Sequence, residues 1–154
     1  MKKVFIGVGS NLGDRAGYLD LAKKELLCIE GLTGLHCSSV HETEPLAAEG
    51  GPFLNAVWSF ETDLSSSDLL KKTQEIEAKA NRQRNKPNQA RTLDLDILFY
   101  GDQVIREPAI TVPHPRLHER AFVLKPMVEL APDFKHPILK KTMKELLEAI
   151  SGKR

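Results

Sequence analysis

Asp94 and Asp96 stand one residue apart inside the apolar run "TLDLDILFY". In an extended chain side chains alternate, so this pattern predicts Leu93, Leu95, Ile97 and Phe99 on one face and both acids on the other. Two full charges about 6.6 Å apart, at an effective dielectric of about 20, repel by roughly 2 to 3 kcal/mol. The solvated face of a half-covered strand would screen that repulsion. A divalent cation would remove it as well, because Mg²⁺ is commonly held by one or two carboxylates together with substrate phosphates. Close by, Arg82, Arg84 and Arg91 bracket the loop-like run "NKPNQA". Guanidinium forks match phosphate oxygens in bidentate fashion. Acids for metal and arginines for phosphate, delivered together, are the recurring parts of phosphoryl transfer. The ordinary alternative is a solvated helix end, where cations also favour the helix dipole.

Other candidates are weaker alone. Gln74 and Glu77 share a helical face with Arg84, and each could simply be exposed. "VPHPRLHER" gathers His114, Arg116, His118 and Arg120, donors suited to a nucleotide phosphate or base, or a rigid connector. Pro113 and Pro115 argue against a helix through both histidines and so against a zinc pair. Phe53 and Phe122 belong to a type that more often fills a core, but Asn55 and Arg120 beside them leave stacking on a ligand open.

The elements that must position these groups follow from periodicity. "KKVFIGVGSN" predicts a buried strand ending in a turn, and Leu19, Ala22, Leu26 and Ile29 recur at helical spacing from Arg15 to Ile29, with Gly31 as a stop. "LHCSSVHETE" and "PFLNAVWSFETD" predict strands separated by the loop "PLAAEGG". "SSSDLLKKTQEIEAKANRQR" predicts a helix capped by serine, with Leu69, Leu70, Thr73, Ile76 and Ala80 on one side and a break near Pro87. The acidic strand comes next. The order β-α-β-β-α-β predicts an α+β fold, a split-βαβ antiparallel sheet with helices on one face. The other face is then free for ligands, with Asp94, Asp96 and Asn55 pointing to it. A C-terminal extension holds the turn-rich "TVPHPRLHERAF", a short apolar segment and a helix near Thr142 to Ile150.

Residues 1–154, with 41% hydrophobic content, suit one domain with a real core. Lys plus Arg (22) nearly balance Asp plus Glu (21), so no general pull toward nucleic acid or an anionic membrane is expected. No signal peptide or spanning segment is read, and a soluble cytoplasmic protein is expected. Cys28 and Cys37 fall in helical and strand-like apolar patterns and are expected to be buried free thiols.

Taken together, "GSN" at 9–11, "TEPL" at 43–46, "FLNA" at 53–56, "QEIE" at 74–77, "RTLDLDI" at 91–97 and "VPHPRLHERAF" at 112–122 resemble the 6-hydroxymethyl-7,8-dihydropterin pyrophosphokinase family in order and spacing, over nearly the whole chain. The resemblance implies a ferredoxin-like fold and a folate-biosynthesis enzyme. It implies transfer of the β,γ-pyrophosphoryl unit of ATP to the pterin hydroxymethyl oxygen, with release of AMP. It also implies two Mg²⁺ ions on Asp94 and Asp96, and a pterin held by Asn55, Thr43 and the Leu46 backbone between Phe53 and Phe122. Gln74, Glu77, Arg84, Ile97, Thr111, His114 and Arg120 would line the ATP site, and Arg82 and Arg91 would close over the phosphates. The expected partners are these two small molecules, and the expected state is a monomer. One departure stands out: the family commonly reads Trp-Gly-Pro before the arginine, where this chain has Asn88-Gln89-Ala90, and its one tryptophan is Trp58.

Two rivals differ from this expectation. Gly9-Ser10 with Asp94 and Asp96 superficially suggests a nucleotidyltransferase, but those elements usually lie close in sequence. An RNA-binding module would want an aromatic-rich strand and a basic excess that the chain lacks.

Overall fold

The structure is a computed structural model that describes residues 1–43, 52–80 and 92–151. β1 (Lys2–Ser10) leads through a turn into α1 (Arg15–Leu27), whose start is fixed by Asp14 accepting the Gly17 N–H. β2 (Leu32–Cys37) and the short β3 (His41–Thr43) follow, then β4 (Phe53–Thr62) and α2 (Ser66–Lys79). The Ser65 hydroxyl accepts from the Asp68 N–H at the head of α2, the serine cap expected there. β5 (Asp94–Tyr100), a small hairpin of β6 (Ile105–Arg106) and β7 (Thr111–Val112), a 3-10 turn at Leu117–Glu119, α3 (Ala121–Leu130) and α4 (Met143–Ser151) complete the chain.

The sheet runs β2-β4-β1-β5, and β3 continues the β2 edge along β4. Every strand pair is antiparallel, which is the split-βαβ arrangement. α1 and α2 pack on one face, where Leu19, Ala22, Leu26, Leu69 and Ile76 meet Val4, Ile6, Val8, Trp58, Phe60, Leu95 and Ile97. The free cysteines, in contrast, are exposed rather than buried. Cys28 has turned past the buried stripe of α1 as its C-cap, and Cys37 lies on the edge strand β2, paired with Trp58 on the helix-covered face but beyond the cover of the helices.

The opposite face is only half free. The C-terminal extension lays α3 and α4 over one end of it, so that Val123, Leu124, Met127, Met143 and Leu146 cover Phe5, Val57 and Phe99. Phe5, Phe99 and Phe134 form a ring cluster with centroids 4.8 to 6.1 Å apart. Phe99 therefore lies on the other face from Leu93, Leu95 and Ile97, against the alternation expected. The reason is a bulge: Phe5 pairs with Phe99 and Ile6 with Ile97, so Leu98 is an extra residue and the pleat inverts after it. α3 was legible only as an apolar segment because Pro126 lies inside it, where proline removes a helical donor.

Candidate functional site

The uncovered end of that face is the site. Cross-strand register aligns Asp94 with Gly9, Gly9 with Asn55, and Asn55 with His41, while Asp96 faces Gly7. One row thus crosses the sheet from a carboxylate, over a glycine, to a carboxamide and an imidazole. Gly7 and Gly9 put no side chain on this floor. A Cβ at Gly9 would lie 3.1 Å from Asn55 Oδ1 and 3.7 Å from Phe53 Cδ1, so the glycine is what lets the Asn55 carboxamide and the Phe53 ring lie low over the strand. Glycine in a strand interior often marks such a close approach, and the alternating "GVG" of β1 was the available signal that the sequence reading passed over.

Asp94 and Asp96 are both half-buried and share this face, as their spacing predicts. Among the described residues no three His, Cys, Asp or Glu side chains gather as a metal cage. Two carboxylates on a strand fit a hard cation that completes its shell with substrate oxygens and water. Across the floor, Asn55 Nδ2 donates to Thr43 Oγ1 at 2.6 Å, which ties the carboxamide to β3. Phe53 and Phe122 are half-buried, Phe53 at the start of β4 and Phe122 at the start of α3, the helix packed against β4. The Arg120 guanidinium lies 5.6 Å from the Phe122 ring centroid, a cation–π contact at the same helix start.

The remaining candidates surround β5. His114 senses Asp94 and Arg120 electrostatically; burial pushes its pKa below the usual value, the Arg120 charge adds to the shift, and Asp94 opposes it. The imidazole is therefore neutral at neutral pH. Its Nδ1 accepts from the Arg116 N–H at 3.3 Å, which leaves the ring proton on Nε2 as a donor. The His114 N–H takes the Leu98 carbonyl at 3.1 Å, and Glu77 Oε2 accepts the Leu95 N–H at 2.8 Å. These two bonds hold the outer edge of β5 on either side of Ile97, whose side chain is buried. Glu77 is itself buried, whereas Gln74 is exposed on α2 and Thr111 is exposed on β7. Glu77 thus ties α2 to β5. Leu46, Arg82, Arg84 and Arg91, with the departure at Asn88-Gln89-Ala90, lie outside the described residues.

A floor bare of side chains, a carboxamide tied to Thr43 and two half-buried phenyl rings would suit a flat, polar heteroaromatic molecule. Arg120 and a neutral histidine suit an anionic partner beside it, and the two acids suit a cation that such an anion would share. Comparison with known proteins shows the family of the chain. Residues 5–132 match the family model described as 7,8-dihydro-6-hydroxymethylpterin-pyrophosphokinase (HPPK), and the chain belongs to that family. It is similar to the 2-amino-4-hydroxy-6-hydroxymethyldihydropteridine pyrophosphokinase of Aquifex aeolicus, 38% identical over 94% of this chain and 90% of the relative. The Bacillus subtilis protein of the same name is 40% identical over 82% of this chain and 76% of its own length. The folic acid synthesis protein fol1 of Schizosaccharomyces pombe is 37% identical over 97% of this chain, which spans only 20% of that longer relative. A Plasmodium falciparum HPPK-DHPS crystal structure shares the fold, with a TM-score of 0.76 at 15% identity, and this chain covers 43% of it.

Proposed function

We propose that this chain transfers the β,γ-pyrophosphoryl group of ATP to the hydroxymethyl oxygen of 6-hydroxymethyl-7,8-dihydropterin, releasing AMP, as a step in folate biosynthesis. The observation that carries the reading is the single row that sets Asp94 beside the glycine floor and the Asn55–Thr43 pair beyond it. In this reading Asn55 and Thr43, with the Leu46 backbone, recognise the edge of the pterin, and Phe53 and Phe122 stack on its two faces. Gln74, Glu77, Ile97, Thr111, His114 and Arg120 hold the nucleotide, together with Arg84.

Asp94 and Asp96 would hold Mg²⁺, two ions by family resemblance, and the donor set fits. When bound, that metal neutralises phosphate charge and orients the triphosphate. The chain's own residues do the rest. The hydroxymethyl oxygen attacks the β-phosphorus and passes its proton to solvent water, while the bond from that phosphorus to the α,β-bridging oxygen breaks and its electron pair leaves on AMP. Arg120, with Arg82 and Arg91, would spread the developing charge, and the neutral His114 Nε2–H donates without adding a charge of its own.

No helix among the described residues is long and apolar enough to cross a membrane; a cytoplasmic monomer is part of the proposal. The test is chromatographic product analysis with ATP, Mg²⁺ and the pterin. AMP formed only with pterin, and without free pyrophosphate, is the expected result. ADP would mean simple kinase chemistry, and free pyrophosphate would mean nucleotidyl transfer; either overturns the proposal.

A further inference from the structure

We propose that Glu129 is a positioning residue for the pterin: it sets the spacing between the strand that carries Thr43 and the helix that carries Phe122. This rests on the pterin reading above.

β3 has three residues and pairs on one side with β4. So short an edge strand has few bonds of its own to fix its place. Its outer constraints come from elsewhere. Glu129, near the end of α3, accepts the Ser39 N–H at 2.9 Å and the Ser39 hydroxyl at 2.8 Å on each oxygen, and His41 Nε2 lies 2.7 Å from its Oε2. The Ser39 N–H, above all, holds the Glu129 carboxyl below the usual carboxylate range. His41 is the register partner of Asn55, and Thr43 two residues on takes the Asn55 amide. The bracket therefore acts one residue pair away from the recognition groups.

The same helix places the stacking ring. Phe122 and Glu129 are seven residues apart, two turns, so they lie on nearly one stripe of α3 about 10 Å apart. α3 thus holds Phe122 at one end and the β3 bracket at the other, and Glu129 couples the two walls of the pterin slot. The nucleotide groups on β5 and His114 itself lie on the far side of β1 and share none of these bonds, and Arg120 stands at the start of α3, the end opposite Glu129.

The experiment is steady-state kinetics on Glu129→Ala and Glu129→Gln, with thermal melts in the presence and absence of an ATP analogue. The glutamine keeps one acceptor for the Ser39 N–H and loses the charge. The pterin KM is expected to rise about tenfold in the alanine variant and about threefold in the glutamine variant. The ATP KM, kcat and the analogue-induced melting shift should stay within about twofold of wild type. Adding Ser39→Ala to Glu129→Ala should raise the pterin KM by less than about twofold more, since the hydroxyl's bonds to Glu129 are already gone and only its 3.1 Å contact with His41 Nε2 is left to lose. An unchanged pterin KM, or equal rises for pterin and ATP, overturns the proposal, and the glutamine variant carries the test if the alanine variant does not fold. Absence of AMP from the wild-type protein would instead overturn the pyrophosphoryl-transfer reading, so the two failures are distinct.

Discussion

At Asp96 the side chain faces Gly7 on the uncovered end of the sheet, half-buried and one step from Asp94. Changing either acid to asparagine keeps its volume and removes a charge the fold must otherwise accommodate. Asp94→Asn and Asp96→Asn should each lower pterin-dependent AMP formation at least about a hundredfold, as loss of a charge-stabilising group does. Their melting temperatures should not fall, which a melt alongside the assay checks. Gly9 makes the complementary case. A methyl there would press on the Asn55 carboxamide and the Phe53 ring, so Gly9→Ala should raise the pterin KM about tenfold with little change in the ATP KM. A comparable rise for both substrates in initial-rate measurements would contradict the glycine floor.

At the scale of elements, α2 and β5 are joined by a charged group in place of an apolar one. Glu77 is buried and accepts the Leu95 N–H. Glu77→Leu leaves that amide without its acceptor, so urea denaturation should show a loss of about 2 kcal/mol, and Glu77→Gln, which keeps a carbonyl oxygen there, a smaller one. Helix boundaries follow local caps: Ser65 caps α2 as the serine run predicts, Asp14 caps α1, and Thr142 and Glu145 exchange the reciprocal bonds of a capping box at the start of α4. The face of Phe99 was not legible. Its inversion depends on how β5 meets β1, and the Leu98 bulge leaves no local trace in an apolar run.

Across the whole molecule, two histidines make stability depend on pH. His136 is buried, and its Nδ1 accepts the N–H groups of Ile138 and Leu139, both at 3.1 Å, so protonation removes the acceptor. Burial first, then the charge of His118, pushes its pKa below the usual value, as burial does for His114. Between the lowered folded value and the unfolded value near 6.5 the unfolded chain binds more protons, so stability rises with pH in that window. It should therefore fall as the pH drops below about 6.5, by at most about 1.4 kcal/mol per pH unit for each histidine. His136→Asn should flatten the acid side of a plot of unfolding free energy against pH, and an unchanged slope would remove His136 from this account.

The sequence by itself determined the β-α-β-β-α-β order, the first two helices with the serine cap of the second, and the shared face of Asp94 and Asp96, because side-chain alternation, helical period and capping act over a few residues. Its motifs also placed the chain in its family before any coordinates. Tertiary structure alone decided that α3 and α4 cover half of the ligand face, that Phe99 turns to meet them, and that both cysteines stay outside. It also decided that Glu129 reaches back to Ser39 and His41, some ninety residues away. Such contacts join segments distant in the chain, and their energies exist only once the sheet has brought those segments together.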